Sequence, residues 1–398
     1  MDIESINTDS KLNLWDRLLI IGIITAPMTS LRVWKVGIAE LSIFIWSIRM
    51  IIKGKFKIKI DQYILFFFLF DMCLFLGYAN RRFKGVYTGL PIEESITFIY
   101  FTIFIIALSQ FLQKTTKDKI LMIYKDIFSW GFIIYFGLYL FSITISRSLF
   151  GYPLWYGDRL SILANNPHQF VFFIGPAILV GLFLINIKYI SSKTKRFFSY
   201  IVILGFLFMG IQTKSSTFIA TLFVIVIYIL LFKPIAKERG KQRGLIIGMK
   251  ISFLLIVIII GYNVVFDYFI KFIESDPNGV GRFIIWEKGI KKGMENPIFG
   301  LGPGAHLYDP YLNVFMEAHN TYIDITLRAG LIGLTLYLVM LYKSIKNTKL
   351  NIYATAIILF FCLYGIAGYS IRRITLWFYI MSISYYCKDV SCKEDIKA

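Results

Sequence analysis

Twelve apolar runs, most of them close to twenty residues long, follow one another along the chain and limit what it can fold into. They cover 14–30, 34–53, 61–80, 92–112, 124–146, 168–187, 197–213, 216–232, 246–266, 318–342, 351–369 and 373–387. A helix needs ~20 mostly apolar residues to cross the hydrocarbon of a bilayer, and a backbone in lipid must satisfy its own hydrogen bonds. The series therefore predicts an all-α polytopic membrane protein of about twelve transmembrane helices, one transmembrane domain over 1–398. Composition agrees: of 398 residues 57% are hydrophobic and 17% charged, where a soluble domain is about a quarter charged. A disordered chain, a disulfide-stapled secreted module and an ordinary cytosolic enzyme are excluded.

The net charge of +19 would suggest nucleic acid in a soluble protein. Here the basic residues lie in short segments between apolar runs and form no continuous face, so no nucleic-acid partner is expected. Most of them fall on alternate connections, as the positive-inside rule requires of cytoplasmic loops. This orientation puts both termini in the cytoplasm. The start, Met1-Asp2-Ile3-Glu4, is neither basic nor followed by a cleavage site, so the first run is expected to stay as an anchor. Cys73 and Cys362 sit inside apolar runs, Cys387 and Cys392 in the polar tail. No CxxC pairs them, so packing is their expected role.

One connection is long, about 267–317, and lies on the outer side before the tenth span. It carries an amphipathic stretch from Arg282 to Met294, with Phe283, Trp286, Ile290 and Met294 at helical spacing. Asn296-Pro297 stops that stretch, and the glycine-rich Phe299-Gly300-Leu301-Gly302-Pro303-Gly304 follows. A short surface helix is expected there. No Lys-Ser or Lys-Thr follows the glycines, so the run is not a P-loop. No GxSxG or HExxH occurs, and three scattered histidines make no ligand spacing; neither metal nor cofactor is expected.

Outer-side polar residues are the candidates for chemistry. His319 stands in Glu317-Ala318-His319-Asn320-Thr321-Tyr322, where a loop enters a helix; histidine can take a proton near neutral pH, as a general base must. His168 begins the sixth run and His306 lies in the long loop. Basic residues run against the orientation rule on this side: Arg159, Lys214 in the tight turn Thr213-Lys214-Ser215, Arg282, the cluster Arg81, Arg82 and Lys84, and Arg372-Arg373. Snorkelling to headgroups accounts for some of them. A site for a phosphorylated lipid accounts for them as a group, because such cations hold a diphosphate and stabilise its departure. Asp324 and Arg328 are four apart on one helix and can pair. Asp71 lies near mid-membrane, where a buried acid suggests function.

Four elements in order carry a resemblance: Arg159 with Asn165-Asn166-Pro167-His168; Thr213-Lys214-Ser215-Ser216; Gly281-Arg282, Trp286 and Glu295-Asn296-Pro297-Ile298-Phe299-Gly300-Leu301-Gly302; and Ala318-His319-Asn320-Thr321-Tyr322 with Ala329-Gly330-Leu331-Ile332-Gly333-Leu334. The chain resembles the O-antigen ligase and polymerase superfamily of bacterial envelope glycosyltransferases. The resemblance implies a GT-C-like fold and a metal-independent transfer on the outer face of the inner membrane. The donor would be an oligosaccharide on undecaprenyl diphosphate. The acceptor would be a second glycan in the polymerase branch, towards which the reading leans, or lipid A–core in the ligase branch. A chain-length regulator is a candidate partner. Arg282 and His319 match the family's long-loop arginine and essential histidine. Lys214 stands where the family usually has arginine, which keeps the charge and loses the fork. Arg159, His168, Asn320, Trp286 and Asp324 are candidates for diphosphate or glycan contact. A lipid-linked-sugar flippase is the competing class, and a scaffold protein the third; no internal repeat of the transporter kind is visible.

Overall fold

Within the described residues, helices form in the predicted apolar runs. The computed structural model describes residues 11–33, 36–55, 57–83, 91–232, 277–309, 314–349 and 351–388, with Gly248 and Ser252 between; the expected ninth span, 246–266, otherwise lies outside the described residues. Helices α1 (Leu14–Thr25), α2 (Ile38–Lys53), α3 (Gln62–Phe83), α4 (Pro91–Lys114), α5 (Lys117–Thr144), α6 (Pro167–Asn186), α7 (Lys193–Gln212) and α8 (Ser216–Phe232) precede that gap. After it come α9 (Pro277–Gly293), α10 (Thr321–Asn347), α11 (Ile352–Tyr364) and α12 (Ile374–Lys388). Among the described residues, α3, α4, α5, α6, α7 and α10 are long and apolar enough to cross a membrane. The protein is a multi-pass membrane protein.

Two runs form shorter helices than expected. The first run ends as α1 at Thr25, before Pro27, and the eleventh ends as α11 at Tyr364. Thirteen residues rise about 20 Å, short of the ~30 Å hydrocarbon core. Part of the cause is tertiary: the backbone from 365 to 370 leaves the helix to hold Thr321, whose N–H donates to the Gly365 carbonyl at 2.8 Å.

Among the described residues the sheet content is four antiparallel two-stranded ribbons: β1 (Arg32–Val33) with β2 (Val36–Gly37), β3 (Ser148–Leu149) with β4 (Tyr152–Pro153), β5 (Trp155–Tyr156) with β6 (Arg159–Leu160), and β7 (Leu307–Asp309) with β8 (Val314–Met316). In the third, Trp155 faces Leu160 and Tyr156 faces Arg159. Its two-residue turn, Gly157-Asp158, begins with a glycine at φ 62, as a tight hairpin needs.

The core centres on α12, buried without interruption from Ile374 to Ser384. A helix apolar all round is surrounded on all sides. Trp377 packs edge-on against Phe67 at 4.7 Å and donates to the Ile371 carbonyl at 2.7 Å. Bonds between helix ends show which ends meet. Thr29 and Ser30, after α1, reach Gln169 and Leu163 beside the start of α6. Thr321 at the start of α10 meets the end of α11, and Gly302 packs on Tyr78 near the end of α3.

Helix α10 is broken at Gly330, whose backbone turns to φ 67 and ψ −169. An unbroken helix would pair the Leu327 carbonyl with the Leu331 N–H and the Arg328 carbonyl with the Ile332 N–H. The glycine-rich turn takes all four groups instead. Leu301 and Gly302 donate to the Leu327 and Arg328 carbonyls, both at 2.8 Å, while Leu331 and Ile332 donate to the Pro297 and Ile298 carbonyls at 2.7 and 3.4 Å. A Cβ on Gly330 would lie 2.2 Å from the Ile298 carbonyl oxygen, and one on Gly300 2.5 Å from the Arg328 carbonyl carbon.

Gly330→Ala is expected to cost at least about 2 kcal/mol, from left-handed strain and the backbone collision together. Gly137→Ala, exposed on α5 with nothing within 4 Å of the added carbon, should be neutral or stabilise by up to about 1 kcal/mol. Melting temperatures in detergent compare the two; equal melting for both variants would contradict the joint.

Candidate functional site

One end of the bundle collects nearly all the polar residues singled out above. The segment from Thr144 to Asn166 folds over it as two hairpins. Asn166 caps α6 by accepting from the His168 N–H at 2.9 Å, and Pro167 occupies the first helical turn. That cap sets His168 against the turn between α7 and α8, where its Nδ1 lies 2.9 Å from the Ser215 hydroxyl. Arg159 Nη2 approaches His168 Nε2 at 3.5 Å, and Arg159 Nε donates to the Thr213 carbonyl at 3.0 Å. The Tyr364 hydroxyl donates to the His168 carbonyl at 3.1 Å.

Lys214 takes a left-handed backbone, φ 51, in that same turn, and its ammonium pairs with Asp158 at the hairpin tip. The ammonium holds the Asp158 carboxyl below the usual carboxylate range. A carboxyl lowered in this way keeps its pair above the ordinary value and loses it as pH falls through the lowered one, so the pair is intact at neutral pH. Both side chains are exposed, 56% for Lys214 and 75% for Asp158. A pair in water is weak, so a multiply charged anion can displace Asp158.

A second group is buried behind the first. Glu94, in the first turn of α4, receives Arg328 through Nε at 3.1 Å and Nη2 at 3.2 Å, and Arg372 Nη1 at 2.9 Å. It also accepts from the Gly304 N–H and lies 3.1 Å from His306 Nε2. Arg328 reaches Asp324 at 2.8 Å, and Arg372 reaches Glu317. The Tyr369 ring lies within cation–π distance of both guanidiniums, 4.6 Å from Arg328 and 4.8 Å from Arg372, an arrangement that favours both cations. Burial pushes the Tyr369 phenol well up, so it stays neutral.

His319 lies in a segment held on both sides. Glu317 is held by Arg372. The Ala318 N–H donates to Asp324 Oδ1 at 3.0 Å. Asn320 caps α10, accepting from the N–H groups of Tyr322 and Ile323, and Thr321 is held by Gly365. His319 itself has φ 52 and an exposed side chain. Its neighbours fix the backbone on both sides while its imidazole faces outward. Histidine tolerates the left-handed region better than most residues, and such strain in a loop entering a helix is a pointer to function.

The sequence-level candidates thus divide. Arg159, His168 and Lys214 form one contact group. Asp324 is fully buried, pairs with Arg328 and accepts from the Ala318 N–H; Asn320 uses its side-chain oxygen as a cap. Trp286 lies on α9 against Phe283 at 5.4 Å, its indole N–H without a partner among the described residues. Arg282 is also on α9, its side chain outside the described residues. Sequence reasoning missed Glu94. Its partners Gly304, Arg328 and Arg372 are 210, 234 and 278 residues away, and the only local signal was an acid at the start of an apolar run.

Residues 199–338 match the family model described as O-antigen ligase. The chain is also similar to two Rickettsia proteins named, by inference, polysaccharide ligases. One, from Rickettsia prowazekii, is 26% identical over 290 residues, covering 66% of this chain and 62% of that protein. The other, from Rickettsia conorii, is 26% identical over 123 residues, covering 26% of this chain and 30% of that protein. Over residues 199–338 the chain is thus similar to the O-antigen ligase family. The matched family region contains Lys214, Arg282, Trp286, the glycine-rich turn, His319 and the break at Gly330. Glu94, Arg159, His168 and Arg372, outside it, are brought to it by the fold.

Glu94→Gln keeps the side chain's shape and leaves Arg328 and Arg372 short of a carboxylate. It should destabilise by about 3 kcal/mol, the usual cost of removing one partner of a buried ion pair. Arg372→Gln combined with it should cost less than the two singles added together. Melting in detergent across the four-protein cycle measures this; strict additivity would mean that the two groups do not interact.

Proposed function

We propose that this protein transfers an oligosaccharide from a polyprenyl diphosphate to an acceptor hydroxyl, at the end of the bundle that carries His319. That end would face the periplasm, with both termini in the cytoplasm. The observation that carries the reading is His319: an exposed imidazole on left-handed backbone, pinned on both sides, at the same end as the cations Arg159 and Lys214 and the α9 helix bearing Arg282.

The chemistry asks little more of the protein. The acceptor hydroxyl attacks the anomeric carbon, its oxygen forms the new glycosidic bond, and the bond to the diphosphate oxygen breaks. His319 takes the hydroxyl proton. The diphosphate leaves with its electron pair, and Arg282, Lys214 and Arg159 are proposed to hold its growing charge, which removes the need for a metal ion. The buried Glu94–Arg328–Arg372 group keeps the 317–321 segment in place, so positioning is built in before substrate arrives. Trp286 offers an aromatic face to sugar, with Asn320 and His168 at the edge of the same region.

In the polymerase branch, the main reading from sequence, the acceptor is a second lipid-linked repeat unit, and a chain-length regulator would be a partner. The names of both Rickettsia relatives favour the ligase branch, in which the acceptor is lipid A–core. A flippase is disfavoured because the polar groups gather at one end rather than at mid-membrane.

His319→Ala and Arg282→Ala should each abolish transfer, with the protein still present in the membrane; Lys214→Ala should lower it at least tenfold and Lys214→Arg restore most of it. Glycan gels of complemented deletion strains, read beside the lipid-linked pool, check this. Surface glycan stopping at one repeat unit marks the polymerase. Loss of surface glycan with long polymer on the carrier lipid marks the ligase. Normal glycan from His319→Ala would overturn the assignment.

A further inference from the structure

The opposite end of the bundle holds a second polar site that glycan transfer does not use. On α4, Glu94 and Gln110 are sixteen residues apart, about 24 Å of helix, so the two sites lie towards different ends of the bundle. Around Gln110 a cavity of about 250 Å³ is lined by the start of α1 (Asn13, Asp16), the end of α2 (Lys53, Gly54), the end of α4 (Lys114) and the start of α5 (Lys119).

Two observations point to a ligand there. Gln110 is 4% exposed and lines the cavity, yet neither its amide nitrogen nor its amide oxygen has a hydrogen-bond partner among the described residues. A buried amide without partners is costly and asks for one. The charge is also one-sided. Three lysines line the cavity against one acid, Asp16, which is already committed to Lys119 at 2.8 Å and to capping α1. Lys53 and Lys114 form no ion pair with any described residue. The preference of helix C-termini for cations explains why lysines end α2 and α4, but it leaves Gln110 unexplained.

The place of the cavity in the fold narrows the ligand. It sits where α4 ends and α5 begins, two helices long and apolar enough to cross a membrane, and so at the level of lipid headgroups. An anionic headgroup is the phosphate that a membrane holds at that level. We propose that this cavity binds the headgroup of an anionic glycerophospholipid, with its phosphate at Lys53 and Lys114 and its headgroup hydroxyl at the Gln110 amide. Basic pockets between membrane helices are a recurring form of such recognition.

Native mass spectrometry of the full chain in detergent tests this with three probes: phosphatidylglycerol, phosphatidylcholine and inorganic phosphate. The wild type should retain phosphatidylglycerol at least tenfold better than phosphatidylcholine. Gln110→Glu, isosteric and repulsive to phosphate, should erase that preference, and so should Lys53→Ala with Lys114→Ala. Melting temperatures without added lipid show which variants are folded, and either folded variant suffices. Equal retention of the two lipids, an unchanged preference in a folded variant, or displacement of phosphatidylglycerol by millimolar phosphate would each overturn the proposal. The readout needs no glycan transfer, so it stands or falls apart from the function proposed above.

Discussion

The exchange of backbone hydrogen bonds at Gly330 is the constraint on which the rest of this end of the protein depends. A helix inside a membrane cannot open without leaving carbonyls and N–H groups unpaired, each at a cost of several kcal/mol in hydrocarbon. Here the opening is matched group for group by residues 297–302. The match requires two backbones to pass at contact distance, so glycine faces glycine across the joint, Gly300 against Gly330. The consequence is that the connection after α9 is not a free loop. It is stitched into α10, and α9, ending at Gly293, is attached to the helix that begins beside His319.

The ionic group around Glu94 completes this construction. Arg328 lies two residues before the break; its carbonyl accepts from Gly302 while its guanidinium grips Glu94. Glu94 in turn accepts from Gly304 and Arg372. One carboxylate therefore ties together α4, the glycine-rich turn, α10 and the segment between α11 and α12. Buried ion pairs of this kind add little net stability, because desolvation offsets much of the attraction. Their service is geometric: the charges have one arrangement in which all are paired, and in that arrangement residues 317, 318, 320 and 321 are held and His319 is presented.

Much of the architecture was legible in the sequence because it depends on local chemistry. Apolar runs of membrane length became helices, and Asn166-Pro167 and Asn320 marked helix starts by the caps they form. The stop at Asn296-Pro297 and the helix over Trp286 followed from turn chemistry and periodicity. The shortening of α11 was only partly legible: Gly365 follows Tyr364 as a local stop signal and caps the helix, but that Gly365 and Gly368 then serve Thr321 is a tertiary contact. Glu94 was not legible either, because an acid near the start of a span looks the same whether it meets water or two arginines.

The sequence alone determined that this is a multi-pass helical protein, which family it resembles, and which residue types could carry transfer chemistry, because hydrophobic length and motif spacing are properties of the chain read in order. Tertiary structure decided that two motifs some thirty residues apart, Phe299-Gly300-Leu301-Gly302 and Ala329-Gly330-Leu331, are the halves of one joint. It decided that Asp324 pairs with Arg328 in the interior, and that Arg159, His168 and Lys214 form one group. The physical reason is the same each time. Partners for a broken helix or a buried charge must be found in space, and where the fold brings them from is not written in their spacing along the chain.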